Sequence, residues 1–149
     1  MIDVPTLFSG DLAVDDRGQL TFCNQFDLAA AGIRRCYLTK NHQTGFVRAW
    51  HGHKKEAKCV MAVSGVAKVG VVRVTDWRQP NAASEVSQFV LSADLPRVLY
   101  VPPGYANGWM SLTDDCRLMW FSTMTADESR ADDHRFSARY WDCWKAEER

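Results

Sequence analysis

Three absences narrow the field before any motif is read. Net charge is absent: eighteen Lys and Arg balance eighteen Asp and Glu. No global field therefore recruits nucleic acid or an anionic membrane, and an anionic ligand must be met by local charges. Long hydrophobic runs are absent too, since no stretch approaches the roughly eighteen apolar residues of a membrane-spanning helix. Met1-Ile2-Asp3-Val4-Pro5 has no basic stretch leading into an apolar one. The expectation is a cytoplasmic protein. Paired cysteines are the third absence. Cys23, Cys36, Cys59, Cys116 and Cys143 are odd in number and form no CxxC. This disfavours a disulfide framework or a cysteine zinc site and leaves buried thiols as the expectation. Internal repeats, low-complexity tracts and interdomain linkers are also missing.

What is present is a 149-residue chain with 46% hydrophobic and 24% charged residues. Those values suit one globular domain over residues 1–149. From residue 10 to 125 short apolar runs alternate with turns about every ten residues, which favours an all-β sandwich or barrel. The expected strands are Gln19 to Asn24, Ile33 to Thr39, Gly45 to His51, Ala57 to Ser64, Ala67 to Val74, Ser87 to Leu91, Arg97 to Val101, Gly108 to Ser111 and Arg117 to Thr123. Nine strands suit a jelly roll. Pro102-Pro103-Gly104 reads as a stiff loop, because prolines fix φ and donate nothing to a ladder. It would hold Tyr105 and Asn107 in place. After Thr125 the chain is charged through Arg135, then aromatic at Phe136, Tyr140, Trp141 and Trp144. A polar loop is expected there, followed by a short helical or irregular segment packed across the barrel.

The stretch Gly45-Phe46-Val47-Arg48-Ala49-Trp50-His51-Gly52-His53 carries the chemistry. Strand alternation points His51 and His53 the same way, roughly 6 to 7 Å apart. That spacing suits two ligands of one ion, and small barrels of the cupin superfamily carry such a motif. Gly45, His51, His53 and Gly65 resemble its first half, and Pro102-Pro103-Gly104 the opening of its second. Where that frame has a glutamate ligand this chain has Lys58, and where it has a last histidine it has Asn107. An ammonium repels a divalent cation and an amide oxygen is a poor substitute for imidazole, so neither a metal nor another cofactor is expected. Glu56 is the one nearby carboxylate, but its offset is wrong by two residues. The remaining set suits proton transfer: a histidine can take a proton from carbon, and a lysine can stabilise an enolate.

Asp16 to Thr123 resembles the dTDP-4-dehydrorhamnose 3,5-epimerase family of nucleotide-sugar cupins. The likeness rests on Asp16-Arg17-Gly18-Gln19-Leu20, Lys40-Asn41-His42, Gly45 to His51, Lys58-Cys59-Val60 with Gly65, Leu91-Ser92-Ala93, and Leu99 to Trp109. It implies a metal-independent enzyme acting on a nucleotide-activated 4-keto-6-deoxy sugar at C3, C5 or both, with a homodimeric assembly. His51 would be the base, Lys58 the enolate stabiliser and Arg48 the group that holds the diphosphate, a role suited to a guanidinium fork. Asn41, Tyr105, Asn107 and Trp120 fall at substrate-binding positions of the same pattern. The family's tyrosine acid falls at Trp120, whose indole cannot donate a proton at neutral pH. Tyr105 or Tyr140 is then expected to replace it, and Asp142 to orient His51. His51-Gly52-His53-Lys54 is in addition similar to the HAHK segment of nucleotide-sugar 3,4-ketoisomerases, in which two histidines shuttle protons on one face. The alternatives are thus a ketoisomerase, with His53 catalytic, or a non-catalytic barrel that binds a sugar.

Overall fold

The computed structural model describes residues 2–149. With 47% strand and 4% helix the chain is mostly β. Its strands are β1 Thr6–Ser9, β2 Asp11–Asp15, β3 Gly18–Phe22, β4 Arg35–Lys40, β5 Val47–His53, β6 Lys58–Ser64, β7 Val66–Arg73, β8 Ser87–Ser92, β9 Arg97–Val101, β10 Tyr105–Ser111, β11 Arg117–Ser122 and β12 His134–Arg135, with α1 Ala126–Ala131 before the last. Two five-stranded sheets, ordered β1-β9-β6-β11-β4 and β12-β5-β10-β7-β8, form the body, and β2-β3 is a separate ribbon. Every pairing is antiparallel. This is the cupin-like double sheet that the strand count suggests.

Nine of these strands coincide with expected ones, within a few residues at their ends. The structure adds β1, β2 and β12. Four residues between Pro5 and Gly10, or two after a helix, are too short to show a period of two. At β10 the expectation began at Gly108, whereas the ladder already starts at Tyr105 and Asn107 belongs to it. The segment after Thr125 differs in a more instructive way. The helix lies in the charged stretch, where a polar loop was expected. Thr125 caps it, with its side chain accepting from the Glu128 amide while Glu128 reaches back to the Thr125 amide. That reciprocal cap nucleates a helix too short to stand on propensity. The aromatic stretch beyond it is irregular.

Two apolar clusters follow from strand alternation. Between the sheets pack Val60, Ala62, Val69, Val71, Leu91, Leu99 and Leu118, with Trp109 and Trp120 among them. On the outer face of the second sheet Trp50, Val72, Val74 and Met110 are covered by Trp141 and Trp144. Trp50 meets the rings of Trp144 and Trp141 at 5.0 and 5.6 Å. The C-terminal aromatics thus cover the second sheet and take no part in lining the space between the sheets.

Glycine is required at two places that set this geometry. Gly65 turns β6 into β7 at φ 63°, and a Cβ there would lie 2.2 Å from Thr113 Oγ1. Gly108 lies where β10 passes β5, and its Cβ would lie 2.4 Å from that of Ala49. At this point the β5–β10 register slips, so that Asn107 pairs with His51 but Trp109 with Arg48.

Candidate active site

A cavity of about 380 Å³ opens between the sheets. β5 supplies Arg48, His51 and His53, β6 supplies Lys58, β10 supplies Asn107 and Trp109, and β11 supplies Trp120. His51 and His53 share a face by alternation, as expected. Arg48, three residues before His51, would face away in a regular strand. The slipped register opposite Gly108 lets it reach the same cavity. Six of the eight residues singled out in the sequence therefore converge.

Two do not. The Asn41 amide donates to Phe46 O at 2.7 Å and lies 3.4 Å from Ser111 Oγ, so it pins the β4–β5 connection rather than facing the cavity. Tyr105 belongs to the inner apolar cluster, and its hydroxyl reaches Asp3 O at 3.4 Å. Neither lines the cavity. Tyr140, the other candidate for the missing acid, is exposed and donates to Pro80 O at 2.5 Å. Asp142 pairs with Arg139 at 3.0 Å, not with His51.

The structure supplies other groups in their place. Asp133 Oδ1 lies 4.0 Å from His51 Nδ1, close enough to act through charge and too far for a hydrogen bond. Its other oxygen accepts from Arg135 Nε at 2.7 Å. Burial pushes the His51 pKa down to about 4, helped by Arg135 and opposed by Asp133. At neutral pH His51 is an uncharged imidazole, the form that accepts a proton. Across the cavity Lys58 Nζ donates to the Tyr37 hydroxyl at 3.1 Å. Tyr37 lies face to face with Trp120, ring centroids 6.4 Å apart and planes 9° from parallel, and the Trp120 indole donates to Thr39 Oγ1 at 3.0 Å. Tyr37 is the one tyrosine that lines the cavity. In the sequence it is one aromatic on one strand, with no local signal to separate it from core.

Glu56, two residues away from a metal-ligand position, is the second residue whose place only the structure reveals. It is 1% exposed, yet five polar groups surround it. Oε2 lies 3.0 Å from His53 Nδ1 and accepts from Ser129 Oγ at 2.7 Å. Oε1 accepts from Ser122 Oγ and lies 3.4 Å from Arg35 and 3.9 Å from Lys58 Nζ. Burial alone would raise its pKa, but the bond from His53, the Lys58 charge and the two serine hydroxyls outweigh it and hold Glu56 at about 2. Asp132 fixes the turn that carries Glu56 by accepting from the amides of Lys54, Lys55 and Glu56. Among the described residues no three His, Cys, Asp or Glu side chains converge as a metal set. All five cysteines are free; Cys59 and Cys116 are buried as expected, whereas Cys36 is exposed.

The profile of a family described as dTDP-4-dehydrorhamnose 3,5-epimerase matches residues 3–140. Among curated sequences no match was found. Solved structures resemble the fold. The rmlC epimerase of Mycobacterium tuberculosis superposes with TM-score 0.76 at 21% identity, covering 97% of this chain and 76% of that one. QdtA, a sugar 3,4-ketoisomerase from Thermoanaerobacterium thermosaccharolyticum in complex with TDP, gives TM-score 0.67 at 23% identity, covering 95% and 94%. The dTDP-4-dehydrorhamnose 3,5-epimerase of Bacillus anthracis with TDP and PPi bound gives 0.66 at 23%, covering 83% and 75%.

Proposed function

Because this chain belongs to the dTDP-4-dehydrorhamnose 3,5-epimerase family, we propose that it is an isomerase that epimerises a nucleotide-activated 4-keto-6-deoxy sugar at C3, C5 or both. The observation that carries this reading is the division of groups between the two walls of one cavity. Neutral His51 stands on one sheet, and the hydrogen-bonded pair Lys58 and Tyr37 stands on the other. A sugar ring between them has a base on one face and a proton donor on the opposite face, which inversion at carbon requires.

His51 removes the proton from the carbon next to the 4-keto group, and the electron pair moves onto the keto oxygen. The Lys58 ammonium stabilises that enolate. Tyr37 then gives its phenolic proton to the carbon from the other face; its oxygen already accepts from Lys58, so its own proton is free to be given. In this reading Tyr37 does what the family tyrosine cannot do where Trp120 stands. The change is redox-neutral and moves only protons. Arg48, at the exposed rim of the cavity, binds the diphosphate. A homodimer in the cytoplasm completes the proposal.

A second reading has its own support. His51 and His53 line the cavity from one strand, as a one-face proton shuttle needs. Moving the keto group from C4 to C3 would use them without Tyr37, and the QdtA ketoisomerase superposes over nearly the whole chain. A mutant of that relative was crystallised with TDP-4-keto-6-deoxyglucose, which makes this sugar the first substrate to try.

Incubation with TDP-4-keto-6-deoxyglucose in D₂O, followed by NMR of the ring protons, decides between them. Deuterium at C3 or C5 with inverted stereochemistry supports epimerisation, and a C3 ketone identifies the ketoisomerase. Binding without exchange, across several nucleotides, leaves only the non-catalytic barrel. His51→Asn is expected to lower exchange by about 10² to 10⁴-fold with the fold retained, and unchanged turnover would remove His51 as the base.

A further inference from the structure

His53 lines the cavity, but its ring is held from behind. Nδ1 lies 3.0 Å from Glu56 Oε2 and 3.0 Å from the backbone carbonyl of Asp132. Both partners are acceptors, because a carboxylate as strongly held as Glu56 is ionised and a carbonyl oxygen has no proton to give. Nδ1 must then carry the hydrogen. On the other side of the ring Nε2 is buried without any hydrogen-bond partner. An orphaned buried polar atom costs about 1 to 3 kcal/mol, and in a native site it calls for a reason. The bonds of Nδ1 account for one nitrogen of the ring, but nothing in the structure pairs with the other.

We propose that Glu56 is a positioning residue that acts through His53: it fixes the Nδ1–H tautomer and leaves Nε2 as the atom that exchanges protons with the bound sugar. The proposal rests on the second isomerase reading above, in which His53 shares in a one-face proton shuttle. In each cycle Nε2 takes one proton from the sugar and gives one back to it on the same face while Nδ1 keeps its own, so charge and atoms balance and Glu56 stays a carboxylate. The surrounding groups fit this single purpose. Ser122 and Ser129 donate to Glu56, and Asp132 both accepts from Nδ1 and ties down the Glu56 amide, so β11, α1 and the β5–β6 turn all fix one ring. The arrangement follows the logic by which a buried carboxylate sets the tautomer of a catalytic imidazole elsewhere.

Three measurements test it. In wild-type protein labelled with ¹⁵N-histidine, long-range proton–nitrogen correlation spectra, assigned with His53→Gln, should show Nδ1 of His53 protonated at neutral pH. A deprotonated Nδ1 overturns the proposal, and this result needs neither substrate nor a Glu56 variant that folds. Glu56→Gln should lower kcat at least about tenfold while KM stays within about threefold, because the lost orientation is felt in the proton transfer and not in binding. Unchanged kcat, or a loss confined to KM, overturns it. Finally, His53→Gln with Glu56→Gln should be no slower than His53→Gln alone, since a residue that acts through another adds nothing once that other is gone. A further fall would show that Glu56 acts by another route. If wild-type protein turns over no 4-keto sugar, the isomerase reading fails, and the tautomer measurement still decides how His53 is held.

Discussion

At the residue scale the site is organised by what burial does to each titratable group. His51 loses hydration and keeps a positive neighbour in Arg135, so it stays neutral down to about pH 4. The acid limb of kcat/KM should therefore lie near pH 4 rather than near 6.5, measured in brief assays that outrun acid unfolding. The sign for stability is the same at two residues. His51 has a folded pKa below its ordinary 6.5, so the stability tied to its neutral form is present above 6.5 and is lost as pH falls towards 4. Glu56 has a folded value of about 2 against an ordinary 4.5, and its contribution is lost as pH falls from 4.5 to 2. Tyr37 gives the sharpest residue-level prediction. Tyr37→Phe keeps the ring that stacks on Trp120 and removes only the hydroxyl. Deuterium uptake promoted by His51 should persist, while formation of the inverted product falls by about 10² or more. Equal loss of both would mean that Tyr37 is not the second-face donor.

At the element scale β5 decides which residues meet. A regular strand would bring His51 and His53 into the cavity and turn Arg48 outwards. The slip against β10 changes the phase between Arg48 and His51, and the missing side chain of Gly108 allows the two backbones to approach there. Gly108→Ala should push β5 and β10 apart at this point. It should cost about 1 to 3 kcal/mol in chemical denaturation, as overpacking does, and raise KM for the nucleotide sugar through Arg48. A variant with wild-type stability and KM would show that the close approach is dispensable. The same strand explains how much of the site was legible. His51, His53 and Lys58 lie within eight residues of one another, so alternation and one turn suffice to group them. Glu56 lies in the same short stretch, yet its partners Ser122, Ser129 and Asp132 come from β11 and α1, more than sixty residues on. Counting offsets for a metal ligand could only show Glu56 as misplaced. Tyr105 differs for the opposite reason: the prolines before it point to a fixed loop, but ladder pairing from Tyr105 onwards turns its ring into the core.

At the scale of the whole molecule the two sheets account for nearly everything except the β2–β3 ribbon. That ribbon pairs only with itself. It leaves Leu12, Val14 and Leu20 between 39% and 68% exposed, on both of its faces. A lone two-stranded ribbon is at best marginally stable in water, so this one fits a chain that lays it against a second copy. Sedimentation should show a dimer, and Val14→Asp with Leu20→Asp should shift it towards monomer. A wild-type monomer at micromolar concentration would refute the homodimer proposal.

The sequence by itself determined the architecture and half of the chemistry. Turn residues at short intervals and alternation between them are local properties, and they specify strands, two faces and the pair His51 and His53 wherever the chain goes. Tertiary structure alone decided which groups answer those histidines. Tyr37 stands opposite because β4 flanks β11, Asp133 because α1 returns the chain to β5, and Glu56 because three distant elements close around it. Each of those choices depends on burial and on pairings between segments far apart in the chain, and neither is written in the spacing of neighbouring residues.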